Sequence, residues 1–121
     1  MGVIRAEGFS TIDAPPKAVY AILADYQTGH PRILPGKYFR VLVVEKGGIG
    51  AGTIIRFSMR SFGASRMIRA GITEPEPGRV LVETDLDTGA VTTFTVEPAG
   101  DGSRSSVRIT TEWVGKGLAG A

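Results

Sequence analysis

The apolar and polar positions change period once along the chain. Residues 3 to 12 alternate imperfectly, with Ile4, Ala6, Ser10 and Ile12 on one side and Arg5, Glu7 and Thr11 on the other. Successive side chains of a strand point to opposite faces, so this segment predicts a strand. Asp13-Ala14-Pro15-Pro16 then breaks it. Proline suits a first helical turn, and Asp13 is placed to cap or oppose the positive end of a helix. Val19, Ile22, Leu23 and Tyr26 fall at i, i+3, i+4 and i+7, one apolar stripe, which predicts a helix over 17–25 ending before Gly29 and Pro31. Residues 27–36 allow only a short second helix.

Beyond residue 37 the pattern is that of strands separated by turn signals about every ten residues. A two-residue turn at Gly63-Ala64 sets Phe62 opposite Ser65, Arg60 opposite Met67, Ser58 opposite Arg69 and Arg56 opposite Gly71. The other face then collects Ile55, Phe57 and Met59 with Ile68, Ala70 and Ile72, so 53–62 and 65–74 become antiparallel partners with one wet face. A three-residue loop at Asp87-Thr88-Gly89 puts Val80, Val82, Thr84 and Leu86 on a face with Thr92, Phe94 and Val96, leaving Leu81 outside as a misfit. The last strand, 103–114, has Val107, Ile109, Thr111 and Trp113 on one side. The second strand, 38–46, is too apolar throughout to reveal its inner face. The order predicts an α+β fold, a curved seven-stranded antiparallel sheet with two short helices after the first strand. A ten-residue helix is only about 15 Å long, so much of the inner face requires another cover.

Composition narrows the chemistry. At 121 residues the chain fits a single domain, 1–121. There is no cysteine and only one histidine, His30, which excludes disulfides, thiolate metal sites and a cysteine nucleophile and argues against zinc. No metal and no cofactor is expected. Fourteen basic against twelve acidic side chains leave a net charge of +2, scattered along the chain, and no nucleic-acid partner is expected. No run approaches the roughly 18 apolar residues of a membrane span, and no secretory leader opens the chain, so a cytoplasmic protein is expected. Gly47-Gly48-Ile49-Gly50-Ala51-Gly52 is not a nucleotide loop, since it lies between antiparallel strands with no lysine-serine pair and no following helix.

Three motifs carry a family resemblance. Ile12-Asp13-Ala14-Pro15-Pro16-Lys17-Ala18-Val19-Tyr20, followed by Leu23-Ala24-Asp25-Tyr26 and Pro31 to Pro35, is similar to the opening of the START-like, Bet v 1-like (SRPBCC) superfamily, within it the polyketide cyclase/dehydrase and lipid-transport group. Gly50-Ala51-Gly52-Thr53 and Ile72-Thr73-Glu74-Pro75-Glu76-Pro77-Gly78-Arg79 match further turns of that group. The resemblance covers nearly the whole chain and marks fold rather than a reactive centre. It implies a helix-grip fold with a cavity for lipids, polyketides, sterols or other apolar molecules. It also exposes a departure. Three glycines in residues 115–121 disfavour the family's long C-terminal helix, each by about 1 kcal/mol against alanine, so that helix is expected to be short or absent, by truncation or because the cavity is closed another way.

The candidate residues divide by chemistry. His30, the residue type most used for acid-base chemistry, is weighed as a cavity-mouth acid-base group against an exposed loop histidine. Tyr26 offers a phenol to a ligand carbonyl or forms the last rung of the helix stripe, with Asp25 binding local backbone. Arg66, on the side of Ile68 and Ile72, either meets a ligand carboxylate or snorkels to solvent. Arg56, Arg60 and Arg69 gather on the outer face. Thr84, Thr92, Thr111 and Ser61 lie inward, where hydroxyls need partners or a ligand, and inward Trp113 serves packing or ligand contact.

The leading expectation is a carrier of a small hydrophobic molecule, with Ile55, Phe57, Met59, Ile68, Ile72, Thr92, Phe94 and Trp113 as ligand contacts. The second is a polyketide cyclase or aromatase using His30, Arg66 and a tyrosine such as Tyr26. The third is an interaction module whose uncovered concave face and arginines meet a partner, or a second copy in a homodimer.

Overall fold

The computed structural model describes residues 3–33, 39–61 and 64–114. The elements are β1 (Val3–Ile12), α1 (Pro16–Ala24), α2 (Gly29–Ile33), β2 (Phe39–Lys46), β3 (Ile54–Ser61), β4 (Ala64–Glu76), β5 (Val80–Asp85), β6 (Val91–Ala99) and β7 (Arg104–Val114). All seven strands form one curved antiparallel sheet in the order β1-β7-β6-β5-β4-β3-β2. β1 crosses to pair with β7 along its whole length, Val3 opposite Val114 and Ile12 opposite Ser105. The α+β arrangement read from the sequence is thus the observed one.

Pro16 occupies the first turn of α1, but Asp13 makes no capping bond. The N-cap is Pro15, whose carbonyl accepts from Ala18 and Val19 at 3.0 and 3.1 Å. The buried face of α1 is Val19, Tyr20, Leu23 and Ala24. Ile22, expected in the stripe, is exposed, and Tyr20 takes its place inside. The stripe is rotated because α1 meets the sheet over β6 and β7 while Tyr20 reaches across to Glu74, its hydroxyl donating to Oε1 at 2.8 Å.

Two local features fix the end of α1. A β-carbon on Gly29 would lie 2.7 Å from the Ile22 carbonyl oxygen, so only glycine lets α2 fold back this closely. The glycine-rich loop after β2 then clamps the same point: Tyr26 N–H donates to the Gly48 carbonyl at 2.8 Å, and Gly50 N–H to the Ala24 carbonyl at 2.9 Å. Glycine here serves a close backbone crossing.

Both hairpin expectations need correction, with different consequences. In β3 and β4 the pairs are Ser61↔Ala64, Arg60↔Ser65, Ser58↔Met67 and Arg56↔Arg69, two positions from the expected register. An even offset preserves faces, so Ile55, Phe57, Ile68, Ala70 and Ile72 are buried together as expected. The expected turn at Gly63 falls outside the described residues. In β5 and β6 the pairs are Leu81↔Phe94, Val82↔Thr93, Glu83↔Thr92 and Thr84↔Val91, an offset of one. That reverses every side chain of β5: Leu81, Glu83 and Asp85 face inward, not Val80, Val82, Thr84 and Leu86. The cause lies in the turn, where Asp85 Oδ1 accepts from Asp87 and Thr88 N–H at 2.9 and 3.2 Å and ends the strand at Asp85. Gly89 takes the left-handed conformation expected of it, φ 79°. Leu81, the apparent misfit, is 0% exposed.

Among the described residues the concave face is covered at one end only. Along β7 the exposure rises from 4% at Val107, beneath α1, to 40% at Ile109 and 37% at Trp113. A hollow of about 270 Å³ runs between α1 and this edge, lined by Ile12, Val19, Ile22, Leu23, Val107 and Ile109 among others. The expected absence of a helix over 115–121 concerns residues outside those described. Among the described residues no helix is long and apolar enough to cross a membrane.

Candidate functional site

The reversal of β5 brings an acid into the core, and α1 and α2 deliver its partners. The Tyr26 hydroxyl donates to Glu83 Oε2 at 2.5 Å. His30 stacks on the Tyr26 ring, centroids 4.4 Å apart and planes at 19°, and meets Phe94 edge-on at 5.6 Å. Its Nδ1 lies 2.8 Å from the Leu23 carbonyl. A carbonyl only accepts, so Nδ1 carries the proton. Nε2 is thereby aimed at Glu83 Oε2, 3.6 Å away. His30 is buried, which overturns the exposed-loop reading; it lies in α2, which folds back at Gly29 and turns the ring inward.

The electrostatics follow from burial. Removal from water pushes the Glu83 carboxyl above the ordinary carboxylate range, with the His30 ring and the Tyr26 hydroxyl pulling the other way. Tyr26 is pushed well above the usual phenol value by burial and by the neighbouring Glu83 charge. Tyr20 is raised by burial and by Glu74. Glu83 Oε2 is occupied by Tyr26, whereas Oε1 takes no bond from any described residue, and the side chain keeps 13% of its surface. The cluster therefore combines a carboxyl that holds its proton unusually well, an imidazole with a defined tautomer and a free carboxyl oxygen, the ingredients of general acid-base chemistry.

Beyond Glu83 the concave face carries a short polar row. Glu83 lies opposite Thr92, and Thr92 opposite Thr111; the two threonine hydroxyls are 3.0 Å apart. Arg66 sits further along β4, held by Asp85, Nη2 to Oδ2 2.6 Å. Burial works against the Asp85 charge, but the N–H groups of Asp87 and Thr88 and the Arg66 guanidinium hold the carboxyl below its ordinary value. Arg66 is 51% exposed. It is not brought together with His30 and Tyr26, which are joined by Glu83 instead.

The expected ligand contacts divide. Ile55, Phe57, Ile68, Ile72 and Phe94 are buried in one cluster with Val19, Tyr20, Leu23 and Tyr26, and Met59 packs against it. Thr92 is half-buried, and Trp113 stands at the open end. Glu83 was missed by sequence reasoning because the assumed loop length put it outside. The signal that could have found it was Leu81: shifting β5 by one to bury that leucine also turns Glu83 inward. On the outer face Arg56 and Arg69 are occupied by Glu45, at 3.6 and 2.7 Å. Asp25 accepts from Gln27 and Thr28 N–H. Among the described residues no three His, Asp or Glu side chains are grouped to hold a metal ion.

A curved antiparallel sheet gripping short helices around an apolar face defines the class, the helix-grip ligand-binding fold of the START/Bet v 1 (SRPBCC) superfamily. The chain belongs to the polyketide cyclase/dehydrase and lipid transport family, whose model matches residues 3–121. Among solved structures it is similar to the KanY protein, at 35% identity with a TM-score of 0.84, over 97% of this chain and 78% of that one. It resembles in fold the Zhui aromatase/cyclase from Streptomyces sp. R1128, at 20% identity and TM-score 0.76 over 93% and 68% of the two chains. A START superfamily protein from Mycobacterium smegmatis shares the fold at 11% identity and TM-score 0.73, over 91% and 76%. No curated protein matches the sequence.

Proposed function

We propose that the chain binds a small, predominantly apolar molecule on its concave face, over the β6–β7–β1 end that α1 leaves open, with the Tyr26–Glu83–His30 cluster as the polar contact at the inner end. The carrying observation is the uncovered apolar surface beside the hollow, where Ile109 is 40% and Trp113 37% exposed on the face that is otherwise core. Contiguous apolar surface rimmed by a few polar groups is the usual make-up of a small-molecule site. Ile55, Phe57, Met59, Ile68, Ile72 and Phe94 form the deeper wall of this reading, with Thr92 and Trp113 nearer the opening. Trp113 is the single tryptophan, so its emission reports occupancy. Titration with anthracene and with palmitic acid, backed by native mass spectrometry of the loaded chain, is expected to change that emission saturably. No saturable change and no adduct with either probe would remove the reading's support.

A second reading, favoured by the free Oε1 and the raised carboxyl of Glu83, is cyclase-type proton transfer. Glu83 would give its proton to a ligand carbonyl oxygen, and the Tyr26 hydroxyl that donates to Oε2 would stabilise the carboxylate left behind. Replacement by Glu83→Gln that leaves binding intact but stops turnover of a poly-β-ketone analogue supports it. No turnover in the parent chain speaks for a carrier, and turnover unchanged in Glu83→Gln and His30→Ala removes these two residues from the chemistry.

A further inference from the structure

We infer that Glu83, Thr92 and Thr111 act as one hydrogen-bonding row that selects a ligand carrying oxygens along a single edge. The inference rests on the reading that the concave face binds a small apolar molecule, and adds what that molecule must present.

The argument begins with register. Glu83↔Thr92 and Thr92↔Thr111 are directly opposed pairs on three consecutive strands, so the three side chains stand in a line across the sheet. Neighbouring strands are about 4.8 Å apart, which sets the spacing of the row. Oxygens borne on carbons four bonds apart in an extended or fused-ring skeleton recur at about 5 Å, a comparable distance. The neighbouring line toward α1 is wholly apolar, Leu81, Phe94 and Ile109, and Trp113 follows Thr111 on the same face. The row is therefore a narrow polar stripe in a greasy surface.

Its hydrogen-bonding capacity is only partly used. One hydroxyl proton serves the 3.0 Å contact between Thr92 and Thr111; the pair has a second, which is not required for that contact. Glu83 Oε1 takes no bond from a described residue. A hydrocarbon laid over the row would strip water from these groups and give nothing back, whereas a ligand with aligned oxygens replaces each lost bond. A site of this kind discriminates more strongly against a missing or misplaced oxygen than an apolar wall discriminates against a methylene.

The test uses the full chain and three flat probes, read by Trp113 emission and calorimetry. 1,8-Dihydroxyanthraquinone carries its two hydroxyl oxygens on one edge, on carbons four bonds apart; its 2,6-isomer has the same formula with the hydroxyls at opposite ends; anthracene has none. The 1,8-isomer is expected to bind about tenfold more tightly than the 2,6-isomer. The Thr92→Val/Thr111→Val double variant, nearly isosteric, is expected to lose that preference and to bind anthracene more tightly than the parent does. Equal affinity for the isomers in the parent chain overturns the inference, as does a preference that persists in the double variant or a variant changed only in melting temperature. Anthracene binding without isomer preference leaves the binding reading standing and removes this one. If none of the three probes binds, this inference falls, and the binding reading falls with it only if palmitic acid also fails to bind.

Discussion

The Tyr26 hydroxyl and the Glu83 carboxylate, 57 positions apart in sequence, meet at 2.5 Å. This bond ties the end of α1 to the centre of the sheet through two groups that are both largely withdrawn from water. Tyr26→Phe keeps the ring that stacks on His30 but leaves Glu83 Oε2 without its donor. A buried acceptor deprived of its partner costs about 1–3 kcal/mol. Urea denaturation of the variant at neutral pH is expected to show a loss in that range, with the slope unchanged. Wild-type stability would mean that the contact contributes nothing net.

The same carboxylate makes stability depend on pH in an unusual direction. An unfolded glutamate titrates near 4.3, and burial raises the folded value above it. The folded state therefore holds this proton more tightly than the unfolded one. The contribution is fully present below the unfolded value and is lost as pH rises through the folded one. Glu83→Gln cannot ionise, so its melting temperature relative to the parent should climb as the pH is raised above about 4 and through the folded value. Parallel curves over that window would show that Glu83 ionises in the fold as readily as in the open chain.

The reversed face of β5 is testable by paired truncation. Leu81, fully buried, should cost about 2–5 kcal/mol when cut to alanine, while Val82, opposite Thr73 and Thr93 on the outer side, should cost about 1 kcal/mol. Equal losses, or a larger loss at Val82, would restore the register in which β5 faces the other way.

That register marks the limit of what the chain discloses by pattern. Alternation in β3 and β4 survived a wrong turn because the error was even; Ile55, Phe57, Ile68 and Ile72 share a face under either pairing. Four of the six residues of β5 are apolar or threonine, the others being Glu83 and Asp85, so alternation carries little information and the loop length decides the face. The loop is set by Asp85 folding back on Asp87 and Thr88, a local bond that hydropathy cannot reveal. For the same reason the site was only half legible. His30 and Tyr26 stood out by residue type, but the group that joins them lay at a strand position assigned to the outer face, and the closeness of α2 depended on one glycine contact.

That contact is itself a prediction. A methyl at position 29 would lie 2.7 Å from the Ile22 carbonyl oxygen, against backbone that has little room to yield. Gly29→Ala should therefore lift α2 and destabilise the chain by about 1–3 kcal/mol. It should also shift the His30 ring resonances in NMR spectra, since that ring loses its place on Tyr26. An unshifted His30 spectrum would show that α2 is positioned by something other than this close approach.

Arg66 and Asp85 are unequal partners, and their variants should say so. The guanidinium is half exposed, and an ion pair at such a position contributes only about 0.2–1 kcal/mol, so Arg66→Gln should alter stability by no more than that. Asp85 is buried and also accepts the two N–H bonds that end β5. Asp85→Ala removes all three contacts and should cost about 2 kcal/mol or more, whereas Asp85→Asn keeps an oxygen for the turn and should fall between. If Arg66→Gln proved the more damaging, the pair would be a structural strut led by the arginine. If instead it left stability alone but weakened binding of palmitic acid relative to anthracene, the exposed part of the guanidinium would be a contact for an acidic ligand end. The ordering of the three variants in denaturant separates turn formation from charge pairing, because only the aspartate takes part in both.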